Sequence, residues 1–155
     1  MRYRRKAREV ALQVLYALDI LDIDVREALN LFWTHHGAPE EVKAFATTLT
    51  EGAWRNRQAL DELIRGCSEN WSLERMSRVD KGILRMAVYE LLHCPDIPPK
   101  VTLNEAIDLG KIFGSENSGA FINGILDALY AKLREQSVPI GTLPAETPPA
   151  GGGES

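Results

Sequence analysis

Apolar residues recur along most of the chain at intervals of three and four, the spacing of one helix face, and strictly alternating runs are nearly absent. Val10, Val14, Leu15, Leu18 and Leu21 form a first stripe. A second short helix is predicted over residues 25–35, with Val25, Leu29 and Phe32 turned inward. Gly37, Ala38 and Pro39 break the chain, and Glu40 and Glu41 then suit the positive end of a new helix. That third helix is predicted from Glu40 to about Ile64, with Val42, Phe45, Ala46, Leu49, Ala53, Leu60, Leu63 and Ile64 on one side. Gly66 is placed to end it.

Asn70 or Ser72 is placed to cap a short turn, and Val79, Ile83, Leu84, Ala87, Val88 and Leu91 mark a strongly apolar helix ending near His93. Residues 94–99 (Cys-Pro-Asp-Ile-Pro-Pro) are expected to be non-helical, because proline removes a donor and biases the residue before it toward extended geometry. A helix from about Leu103 to Phe113 follows, then a turn over 114–117. The last helix carries Phe121, Ile122, Ile125, Leu126, Leu129 and Leu133. Residues 137–155 differ in kind, with four prolines and four glycines, and read as a disordered tail. The expected fold is all-α, one domain over residues 1–136 with a packet of helices in each half.

A chain of 155 residues has room for one domain with a sizeable core and is short for two. Its net charge of −4 argues at first against a nucleic-acid partner. The placement of the charge argues otherwise. Arg2, Arg4, Arg5, Lys6 and Arg8 lie within the first eight residues with no acid among them, which leaves 13 basic residues against all 22 acidic ones, or −9, for the rest. No apolar run approaches the ~20 residues of a membrane-spanning helix. Glu9, Gln13, Asp19 and Asp22 interrupt any signal-like stretch behind the basic start, so a cytoplasmic protein with no membrane partner is expected. Cys67 and Cys94 form neither a disulfide framework nor a zinc site, and read as small apolar fillers.

Catalytic motifs are weak. His35 and His36 are adjacent and project in different directions without further ligands, and His93-Cys94 lacks a third group to orient a base. Gly110-Lys111 matches the end of a phosphate loop, but the preceding glycine spacing, the Ser/Thr and the strand are missing. Glu62, Glu69, Glu74 and Asp80 read as solvated helix faces. No active site, metal or cofactor is expected.

The basic arm is the sharper feature. Because it feeds a helix, Arg4, Arg5 and Arg8 can share a face. If five cations met phosphates of a single strand, log affinity would fall with log salt at a slope of about −3.5, roughly 100-fold between 50 and 200 mM. The alternative is a solvated terminus. A second site is residues 111–121. Ser115, Asn117 or Ser118 is placed to cap the last helix beside Lys111, while Phe113 and Phe121 offer faces for stacking unpaired bases. The alternative there is an ordinary helix connection with both phenylalanines in the core, and Glu116 favours it.

Four blocks carry a resemblance: residues 4–16 (RRKAREVALQVLY), 79–92 (VDKGILRMAVYELL), 97–114 (IPPKVTLNEAIDLGKIFG) and 118–127 (SGAFINGILD). In this order and spacing the chain resembles the NusB family of bacterial transcription antitermination factors, from Arg4 to about Leu129. The resemblance implies two small packed helical bundles of about seven helices. It also implies a non-enzymatic function: binding the boxA sequence of nascent RNA, notably from ribosomal RNA operons, together with ribosomal protein S10 (NusE). The pair would join an RNA polymerase complex that resists termination. Carried over by position, the arginine-rich contacts fall on Arg4, Arg5, Lys6 and Arg8, and the RNA-facing positions on Phe113, Asn117 and Phe121, with Tyr16 and Asp80 as further candidates. The family carries an aspartate where this chain has Asn117, and losing that charge lessens repulsion of phosphate.

Asn104 and Glu105 read as helix-start residues serving backbone donors, and Asn123-Gly124 as a point of close helix packing. The acidic body suits a basic partner such as S10. Two other readings stay open. One is a NusB-like domain of an RNA cytosine methyltransferase, although no glycine-rich unit for a methyl donor is present. The other is a module that self-associates through the apolar helix Val79–Leu92. The family contains both monomers and dimers, so a homodimer stays open too.

Overall fold

The computed structural model describes residues 2–68 and 72–136, which form seven α-helices and one 3₁₀ turn with no strand among them. The helices are α1 (Arg2–Ile20), α2 (Val25–His35), α3 (Glu40–Arg55), α4 (Arg57–Arg65), α5 (Arg78–His93), α6 (Pro99–Phe113) and α7 (Ser118–Glu135), with the 3₁₀ turn at Leu73–Arg75. The expected cap at Asn70 and the expected tail over 137–155 lie outside the described residues.

The most apolar helix of the sequence is the hub. α5 buries ten of its 16 residues and packs on α1, α3, α4, α6 and α7. A helix apolar on nearly every side must be covered on nearly every side. Its faces are therefore already taken, which corrects the idea of self-association through Val79–Leu92. The first three helices pack on one another and α6 packs on α7, giving the two packets. Arg85 of α5 clasps Asp61 of α4 through two hydrogen bonds of 2.8 Å, both side chains being nearly buried.

Two boundaries differ from the expectation. The predicted single helix over 40–64 is divided at Asn56, whose backbone sits at φ −102°, ψ 16° between α3 and α4. The Asn56 amide and backbone N–H both donate to the Gly52 carbonyl, at 2.8 and 3.1 Å, so the side chain takes part in ending the helix. The apolar stripe continues across the break, and periodicity alone does not reveal it.

α6 starts at Pro99, four residues before the predicted Leu103, because a first-turn proline needs no donor and has its φ already set. Glu105 is consequently in the body of α6 and pairs with Arg5 rather than with backbone donors. Asn123-Gly124 is exposed, with nothing within 4 Å of a Cβ added at Gly124, so it is not the packing point expected. Gly110 has that role: an added Cβ would lie 2.8 Å from Ile122 Cδ1 and 3.4 Å from Gly119 N, where α6 crosses α7.

Candidate nucleic-acid interface

The basic arm is helical from Arg2 and laced to the rest of the molecule. Arg4 donates to Asp96 at 2.8 Å and lies over the Phe45 ring at 5.1 Å. That hydrogen bond holds the Asp96 carboxyl below its ordinary range. Arg5 forks onto Glu105 at 3.0 and 2.9 Å and reaches Asp108 at 2.8 Å, which raises its own pKa. Lys6 is exposed.

Arg8 is different. It is 3% exposed and donates twice to Glu90, at 2.7 and 2.9 Å, while the Thr102 hydroxyl donates to the same carboxylate at 2.9 Å. The expectation that Arg4, Arg5 and Arg8 present one common face is not met, because Arg8 points into the core and has almost no surface for a phosphate.

The remaining candidates lie on α1, at the end of α6 and at the starts of α5 and α7. α1 and α5 run antiparallel, since Arg8 pairs with Glu90 near the end of α5 and Asp19 faces Arg78 at its start, 3.5 Å away. Tyr16 lies eleven residues after Arg5, close to three full turns, so it is on the same stripe about 16 Å further along. Tyr16 is 43% exposed. Arg5 docks on α6 at Glu105 and Asp108; Lys111 and Phe113 follow one to two turns on, both exposed. Phe113 is thus not in the core. The turn over 114–117 then leads into α7.

At the start of α7 lies a cleft of about 540 Å³ lined by Arg75, Met76, Ser77, Asp80, Ser115, Asn117, Ser118, Ala120 and Phe121. Three candidates, Asp80, Asn117 and Phe121, meet here although 37 residues separate the first two. Phe121 is half-buried and packs against the core. Of the proposed caps, the Ser118 Oγ accepts from the Ser115 N–H at 2.9 Å, whereas Asn117 occupies the cap position without a side-chain bond. Asp80 is not the solvated helix face first expected: its Oδ1 is buried with no hydrogen-bond partner. Sequence reasoning missed Arg75 and Ser77. The available signal was Ser77-x-x-Asp80, a helix-start pattern in which the Ser77 Oγ accepts from the Asp80 N–H at 3.0 Å.

Among the described residues nothing comparable assembles for catalysis. Among the described residues no group of three or more His, Cys, Asp or Glu is placed to hold a metal ion. Burial pushes the Cys94 thiol up to about 12, away from a reactive thiolate, and pushes His93 below its ordinary value. A larger cavity of about 840 Å³ beside α4 is lined by Asp61, Glu62, Arg65, Leu92 and His93 among others, and contains none of the candidate residues. No helix among the described residues is long and apolar enough to cross a membrane.

Comparison with known proteins gives one answer. The model of the NusB family matches residues 5–131. The transcription antitermination protein NusB of Syntrophus aciditrophicus is 62% identical over 137 residues, covering 88% of this chain and 85% of the relative. That of Desulfatibacillum aliphaticivorans is 47% identical, covering 86% and 93%. The solved structure of T. maritima NusB is 38% identical with a TM-score of 0.74, covering 83% of this chain and 91% of that one. A crystal structure of antitermination factors NusB and NusE in complex with dsRNA matches at 28% identity and a TM-score of 0.78, covering 85% and 98%. This is an all-α protein of the class that acts in transcription rather than as an enzyme. The chain belongs to the NusB family of transcription antitermination factors.

Proposed function

We propose that this chain binds boxA RNA of nascent transcripts together with ribosomal protein S10 (NusE), within a cytoplasmic RNA polymerase complex that resists termination. The observation that carries the reading is a set of surface cations and aromatics joined to a cleft. It comprises Arg4, Arg5 and Lys6 of the arm, Tyr16 on the same stripe of α1, Lys111 and Phe113 at the end of α6, and the cleft of Asp80, Asn117 and Phe121. Cations spaced along a path with stacking faces at its end suit single-stranded RNA. A neighbour of the same fold is known with NusE and dsRNA, which supports the choice of partners. The RNA is expected to exchange with Glu105 and Asp108 for the exposed guanidinium of Arg5. Arg8 acts as a positioning residue that anchors the arm. The acidic remainder of the molecule offers attraction to a basic S10.

A gel-shift titration with boxA and scrambled RNA, each with and without S10, tests this. Tighter binding of boxA, strengthened by S10, is expected; equal affinity for both RNAs under both conditions overturns the proposal.

A further inference from the structure

The arginines of the arm are divided between two kinds of carboxylate. Arg8 and Glu90 are buried together, so that pair stays closed to anything in solution. Arg4 and Arg5 are held at the surface instead, by three acids from α6 and the loop before it. Glu105 and Asp108 stand three residues apart on one face of α6, and both reach the Arg5 guanidinium, at 2.9 and 2.8 Å. Asp96 takes Arg4 at 2.8 Å, while the Arg4 Nε is buried and donates to nothing. Carboxylate oxygens on a guanidinium make the contact that a phosphate would make. The Asp96 and Asp108 side chains are 66% and 44% exposed, so water and salt screen the pairs and a competing anion can exchange with them. The fork from Arg5 is already filled by Glu105, and Asp108 adds a second negative charge to it. Three acids against two arginines leave this part of the surface negative where a polyanion must approach.

We infer that Asp96, Glu105 and Asp108 set RNA selectivity by standing in for phosphate on the arm of the free protein. The inference rests on the RNA-binding reading above. Phosphates are alike in every sequence, so contacts to the arm carry no sequence information. A strand held by its phosphates alone must displace the acids first, and it gains only the difference between phosphate and carboxylate as a partner. Its affinity is reduced by the fraction of molecules in which the arm is released. An RNA whose bases are also recognised elsewhere on the molecule docks there while the arm is still held, and escapes part of that reduction. The internal competitor therefore weakens sequence-independent binding more than sequence-specific binding.

The test uses the full chain with S10 and measures the affinities of boxA and scrambled RNA by fluorescence anisotropy. Glu105→Gln with Asp108→Asn is expected to tighten scrambled RNA about fivefold and boxA about twofold, within what exposed ion pairs contribute. Added to Arg5→Ala, the same two changes are expected to leave both affinities as they are, because no guanidinium remains to be released. Asp96→Asn alters a side chain outside α6 and is expected to act in the same direction through Arg4, which keeps the test open if the double variant fails to fold. A gain for scrambled RNA no larger than that for boxA, or weaker binding of either, overturns the inference. A gain that persists without Arg5 also overturns it, since lost negative charge alone would then be responsible. If boxA and scrambled RNA bind the unaltered protein alike, the underlying reading fails instead.

Discussion

Arg5 and Arg8 lie one turn apart on α1 and carry the same charge, yet their surroundings set them different tasks. Among the described residues, Glu90, buried beside Arg8, forms an ion pair with no other cation. Arg8→Ala is therefore expected to cost about 3–5 kcal/mol by stranding a buried carboxylate. Urea denaturation measures it, and replacing Glu90 by Leu together with Arg8→Met should recover much of the loss. Arg5 is 44% exposed in its side chain, so Arg5→Ala should cost less than about 1 kcal/mol of stability. Its effect belongs to RNA: losing one phosphate contact should flatten the slope of log affinity against log salt by about 0.7. With Arg8 committed inside, at most four arm cations remain, and the arm's share of that slope falls from about −3.5 to about −2.8. A composition count could not reveal this, because it registers charges and not their partners. The acids that face Arg8, Glu90 and Glu105, are 82 and 97 residues away in sequence.

Among the elements, helices were legible wherever the apolar stripe had a clear end. α2 and α5 came out within a residue of the expected limits because Asp24 and Ser77 cap them and polar or proline-rich stretches follow. The division at Asn56 was hidden because Leu60 and Ile64 continue the stripe of α3 beyond a change of axis. Pro99 misled in the opposite sense, since a proline that breaks a helix interior is favourable in its first turn. Glycines were the least legible. Gly110 and Gly124 look alike in sequence, but one lies in a helix crossing and the other at the surface. Gly110→Ala is accordingly expected to destabilise by about 1–3 kcal/mol through overpacking against Ile122, whereas Gly124→Ala should stabilise slightly by favouring the helix. Thermal denaturation of the pair distinguishes them.

For the whole molecule, the uneven charge noted in the sequence has become an arrangement. The arm is tied down by Asp96, Glu105 and Asp108, so the arm's cations and the acids that compensate them share one surface. Stability should also respond to pH through His93, which burial holds below its ordinary value of 6.5 and which lies against Tyr89 with ring centroids 4.8 Å apart. Because the folded state favours the neutral ring, the unfolded chain binds the proton more readily. The contribution is complete above that value and is lost as pH falls below it. Urea midpoints should decline from about pH 7 to 5, with a shallower decline in His93→Gln.

The cleft was legible only in part. Phe121 and Asn117 stood out beside the last helix, but their meeting with Asp80 needed the packing of α5 on α7. The central claim is that one continuous face, from the arm along α6 to this cleft, receives the RNA. The most direct measurement is an amide chemical-shift map of the ¹⁵N-labelled chain, in complex with unlabelled S10, as boxA RNA is added. Shifts concentrated at residues 4–8, 111–121 and around Asp80 are predicted. Shifts confined to α2 and α3, with those segments unmoved, would contradict the account.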